Sequence, residues 1–70
     1  MDIKTLAAKV ADEITDAVEY AKMAADVKAS DPELSRTLSE ISAQEFEHMN
    51  ELHKALAAEV KAVQAMYKEV

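Results

Sequence analysis

One break interrupts 70 residues of helix-forming sequence: Lys28-Ala29-Ser30-Asp31-Pro32-Glu33, which carries the only proline of the chain. On either side Ala, Leu, Lys, Glu and Met dominate, glycine is absent, and no stretch alternates as a strand would. Pro32 cannot continue a helix from upstream, because its ring removes a backbone donor and clashes with the preceding turn. It does suit the first position of a new helix. Two caps fit the spacing, either a Ser30/Glu33 capping box or Asp31 as N-cap ahead of Pro32. Asp2 is placed to cap the first helix. The pattern therefore predicts an all-α chain, with helix one over about residues 3–28 and helix two over about 32–68, in one domain covering 1–70. So short a connection makes the helices antiparallel neighbours, an αα-hairpin.

At about 100° per residue, Leu6, Val10, Ala17, Tyr20, Ala24 and Val27 line one face of helix one, with Glu13 in their midst. The matching face of helix two is Leu34, Leu38, Ile41, Met49, Leu52, Leu56, Val60, Val63 and Met66. Glu45 sits at its centre and His48 near one edge, inside the stretch Glu45-Phe46-Glu47-His48. Glu19, Glu40, Glu47 and Glu51 fall well outside both faces. A buried carboxylate is costly unless it is paired or bound to metal. Two acids and an imidazole at mid-depth of facing apolar stripes thus point to a shared purpose. Residues three apart on a helix share a face, so Glu45 and His48 can hold the same ion.

Composition narrows the alternatives. There is no cysteine, hence no disulfide framework, no thiolate metal site and no nucleophilic thiol. Eight basic residues against fourteen acidic give a formal charge of −6, which opposes binding to nucleic acid or anionic membranes. No apolar run nears the ~20 residues of a membrane span. The start, Met1-Asp2-Ile3-Lys4, lacks the basic-then-apolar pattern of a signal peptide, so a cytoplasmic location is expected. A core this small seldom supplies more than ~3–5 kcal/mol without a metal, a disulfide or a partner. With disulfides excluded, the chain is expected to need a metal, a partner or both.

Two hairpins about a two-fold axis make a four-helix bundle and double the donor set to Glu13, Glu45 and His48 from each copy. Four-helix di-metal proteins use this inventory, one Glu from each of two helices and Glu-x-x-His from each of the other two. Carboxylates with imidazole suit iron or manganese, and zinc remains open on ligand type alone. Asp16, about 60° from Glu13, is a rival ligand or an outer partner. Tyr20 is expected to be a core aromatic whose hydroxyl reaches a ligand carboxylate. His53 reads as a surface residue, and Asp12, Asp16 and Glu19 as a solvated acidic face. Glu59 lies inside the stripe but far beyond His48.

These motifs resemble the ferritin-like superfamily, especially its rubrerythrin-like and encapsulated-ferritin branches. Glu45-Phe46-Glu47-His48 followed by Met49 and Leu52 is similar to the iron motif of the family's second helix. Glu13 followed seven residues later by Tyr20 is similar to that of the first, and Asp31-Pro32-Glu33-Leu34 to the start of the second. The likeness covers about residues 10–56 and is to the half-length form, which completes its iron site between subunits. It implies a ferroxidase that oxidises Fe(II) with dioxygen or peroxide for storage or detoxification, holding two irons per dimer. It also implies a homo-oligomer, at least a dimer and up to a larger ring, and a host shell of the encapsulin type. No apolar tag for such a shell is legible in Tyr67-Lys68-Glu69-Val70. The rivals are a rubrerythrin-like peroxide reductase, which would need an external electron donor, and a non-catalytic helical interaction module.

Overall fold

The computed structural model describes residues 2–68, so the last two positions of the tag reading, Glu69 and Val70, lie outside the described residues. Two α-helices fill that span, α1 over Ile3–Val27 and α2 over Pro32–Lys68, with no strand. The expectation of an all-α hairpin holds, and α1 stops one residue before the expected boundary. Both helices begin on an aspartate. The Asp2 side chain accepts from Thr5 N at 2.7 Å, and Asp31 Oδ1 accepts from Leu34 N at 3.0 Å. Of the two caps considered for α2, Asp31 is thus the one formed. Ser30 turns the other way and donates to the Val27 carbonyl at 3.3 Å, beside the Asp31 N–H bond to that carbonyl at 2.7 Å. The orphan carbonyl at the end of α1 is satisfied within the turn itself.

The seam between the helices is built from small residues. Ala17 and Ala24 of α1 are buried, as are Ser35 and Ser42 of α2. Ser35 Oγ donates to the Ala24 carbonyl and Ser42 Oγ to the Ala17 carbonyl, each at 2.7 Å. A hydroxyl can reach a carbonyl of the facing helix only if the backbones approach closely, and alanine opposite serine permits that. The pair of bonds also sets the register, placing Glu13 level with Phe46, Val10 with Met49 and Ile3 with Leu56. Among the large side chains of the described residues only Leu6 and Leu38 are buried, one on each helix, and none is completely enclosed.

That register corrects the expected core of α2. Its residues up to Leu56 have α1 beside them, whereas the last twelve, 57–68, run on for about 18 Å at 1.5 Å per residue. Val60, Val63 and Met66 keep the apolar spacing but are exposed, Met66 at 69%. Leu34 is exposed as well, because the seam runs through Ser35 instead. The result is a rod of 61 × 15 × 14 Å. Among the described residues no helix is long and apolar enough to cross a membrane.

Candidate metal centre

Glu13, Glu45 and His48 come together on one side of the seam, each offering a ligand atom within 4.8 Å of the others. Three local features position them. Heptad spacing puts Glu13 in the column of Leu6, Tyr20 and Val27, which faces α2. Glu45 occupies the equivalent column of α2, between Leu38 and Leu52. His48 lies one turn from Glu45 and rises over the edge of the seam. Both carboxylates are half-buried, with side chains 20% exposed, and the imidazole is open at 58%. The expected core placement thus holds for the two acids to half-depth and not for His48, whose column borders solvent in a lone hairpin.

The electrostatics are those of a crowded acidic pair. His48 Nδ1 stands 3.5 Å from Glu13 Oε2 and 4.0 Å from Glu45 Oε1. Neither approach satisfies Glu13 Oε2, which is buried with no hydrogen-bond partner. Contact with Glu13 holds the Glu45 carboxyl above its ordinary range, chiefly because a proton on Glu45 bonds to the Glu13 carboxylate. Loss of solvent and the Glu13 charge push the same way, Asp16 adds a smaller push, and His48 opposes them. Two carboxylates that near each other demand either a shared proton or a cation.

The donor set fits a hard divalent cation. Two ligands on opposite sides of an ion at about 2.1 Å each span about 4.2 Å. The triad's ligand atoms lie within 4.8 Å of one another, and His48 Nδ1 is already inside that span from both carboxylates, at 3.5 and 4.0 Å. One chain supplies three donors, fewer than an octahedral ion takes, so a single hairpin leaves coordination positions free. Asp16 is exposed and sits outside the triad, acting on it through charge alone. Tyr20 is half-buried one heptad from Glu13, and none of the side-chain hydrogen bonds among the described residues involves its hydroxyl. Within the hairpin Tyr20 does not reach a ligand carboxylate, since about 10 Å of helix rise separates the two levels. His53, Asp12 and Glu19 are exposed, and Glu59 lies past the end of α1.

No family model, curated protein or solved structure matches this chain.

The two seam serines are what the sequence reading missed. They occupy the column that continues into Met49 and Leu56, so a seven-residue count back from those residues would have found them. They place the triad by setting the register, and they touch none of its ligand atoms.

Proposed function

We propose that this chain is half of a non-haem di-iron carboxylate protein, a ferroxidase whose site is completed by a second copy. The observation that carries the reading is the orphaned Glu13 oxygen beside Glu45 and His48. A buried carboxylate oxygen without a partner is costly, and a cation drawn in by both acids relieves that cost and the repulsion between them. Two copies bring four carboxylates and two imidazoles, a set that balances two divalent ions and favours Fe(III) after oxidation. Iron is the substrate in this reading and manganese or zinc its competitors. Two Fe(II) ions give up two electrons, which hydrogen peroxide accepts with two protons to leave as water, or dioxygen accepts to become peroxide. Glu13, Glu45 and His48 would hold each ion, with at least one of the glutamates shared between the two, and the covering helices would limit access by water.

The thin core supports the dimer. Four buried apolar residues among those described, two of them alanine, leave a lone hairpin short of burial for its length. Met23 and Leu34 are exposed on the triad's side of the seam, where the second copy would lie. Ile14, Val18 and Phe46 are exposed on the other side, which supports assembly beyond a dimer.

The test is anaerobic Fe(II) titration followed by native mass measurement and then admission of air. Two irons per dimer, and an Fe(III)–oxo absorbance that rises faster than in protein-free buffer, are expected. A dimer that takes up no iron would refute the ferroxidase. The openness of His48 favours one rival, an interaction module in which Glu13, Glu45 and His48 form only a polar pairing set. Such a module keeps the same dimer and the same melting temperature in excess chelator.

A further inference from the structure

The hairpin has a second face, turned away from the triad, and its charges are sorted. Ile14 lies about 100° round α1 from Glu13, and Phe46 about 100° round α2 from Glu45. Within about 80° of these two residues neither helix carries an acid. Of the eight bases, counting Lys28 with α1 as its C-cap, only Lys9 lies outside that span. The acids crowd the triad side and the outer edges, so the net charge of −6 hides a face that is positive by itself.

We propose that this face docks a helix of a partner protein, about 20 residues long, acidic at both ends and apolar in its middle. The exposed bases form two groups. Lys22, Lys28 and Arg36 stand toward the connection, and Lys4, Lys54 and Lys61 toward the start of α1. The register of the serine bonds puts Arg36 about level with Lys22, and Lys54 about level with Lys4. From Lys4 to Lys22 is a rise of about 27 Å. Between the two groups Ile14, Val18 and Phe46 are 41%, 40% and 42% exposed. Toward the connection the face hollows into a groove, with Ala21, Ala25, Lys28 and Ser39 along it and the buried Ala24, Ser35 and Ser42 beneath.

Charge complementarity selects the occupant. A second copy does not fit by the same face, because any two-fold axis would press base against base. Lipid is the poorer match, since binding at a bilayer surface scales with the apolar area buried along the helix. Here the large apolar residues are confined to the middle, and Ala7, Ala25, Ser39, Asn50 and Ala57 are exposed along the rest. An acidic helix answers each feature. Its end carboxylates meet the two basic groups, its apolar middle covers Ile14, Val18 and Phe46, and the small residues let it lie close. The docking is independent of the metal site, which faces the opposite side of the seam.

The probe is a labelled synthetic helix of about 20 residues, with Glu in its first and last turns and Leu and Ala between. Its fluorescence anisotropy is followed on titration with the full chain, and added salt should weaken the binding. Lys22→Glu/Arg36→Glu and Lys4→Glu/Lys54→Glu should each raise Kd at least about tenfold. Phe46→Ser should do the same through the apolar contact. Lys9→Glu, on the triad side, should leave Kd unchanged. Every one of these positions is exposed, and circular dichroism checks that the helices persist. A peptide held no better by the parent chain than by the charge-reversed variants would overturn the proposal. So would an equal loss with Lys9→Glu, because attraction would then follow net charge alone. Sedimentation with phosphatidylserine vesicles, abolished by Lys22→Glu/Arg36→Glu while the peptide stays unbound, would assign the face to lipid and overturn it too.

Discussion

Glu13 is the residue on which the site turns, because among the described residues it is the one with an unsatisfied buried oxygen. Replacing Glu13 with Ala should raise the melting temperature of the metal-free protein by removing the crowding around Glu45. The same change should weaken Fe(II) binding by more than about 100-fold, beyond the 10–100-fold typical of losing an outer partner of a ligand. Circular dichroism in chelator and titration calorimetry without it read the two effects, and tighter metal binding by the variant would remove Glu13 from the ligand set. The raised pKa of Glu45 gives a pH dependence of definite sign. A carboxyl whose folded pKa exceeds its unfolded value stabilises the fold below the unfolded pKa, and that contribution is lost as pH rises through the folded value. The metal-free protein should accordingly melt higher at mildly acidic than at neutral pH. Metal reverses the trend, since its ligands must be deprotonated to bind. Melting curves with and without Fe(II) across that range should slope in opposite directions.

At the scale of elements, two kinds of polar contact hold the hairpin, and they differ in what they decide. Asp31 fixes where α2 begins through its bond to Leu34 N, and Asp31→Ala should cost about 1 kcal/mol of stability, the usual value of an N-cap. Ser35 and Ser42 decide how α2 sits against α1. Ser42→Ala removes one hydrogen bond while the Ala17 carbonyl keeps its place in the helix, so a loss of roughly 0.5–1.5 kcal/mol is expected. Ser42→Leu forces the backbones apart at a seam made for small side chains, and overpacking of that kind costs about 1–3 kcal/mol. The distinguishing readout is metal binding. Ser42→Ala should retain it, whereas Ser42→Leu should lose it, because Glu13 is carried by α1 and Glu45 by α2.

The whole molecule is a thin rod, and its shape has thermodynamic consequences. With so few buried apolar side chains, most of its stability must come from what binds it. A proposed dimer with metal on its axis should show a melting temperature that rises with protein concentration. Chelator should lower it, by an amount that grows with the free iron it replaces. A melting temperature independent of both would leave a hairpin that is stable alone, and would count against the second copy and the metal together.

Local chemistry makes much of this legible in the sequence. Pro32 with Asp31 had to end one helix and start another, because proline lacks the donor a continuing helix needs. Glu13, Glu45 and His48 could be picked out because they interrupt apolar columns spaced by the helical repeat. What tertiary structure alone decided was the register. Helical periodicity says which residues share a face, but not how far one helix slides along the other. Two serine hydroxyls reaching carbonyls across the seam settled that, and serine is a residue that polarity, not periodicity, assigns to the surface. The slide brought Glu13 beside Glu45 and left residues 57–68 uncovered. It also left His48 in the open, since a column at the edge of a two-helix seam has nothing beyond it to bury against.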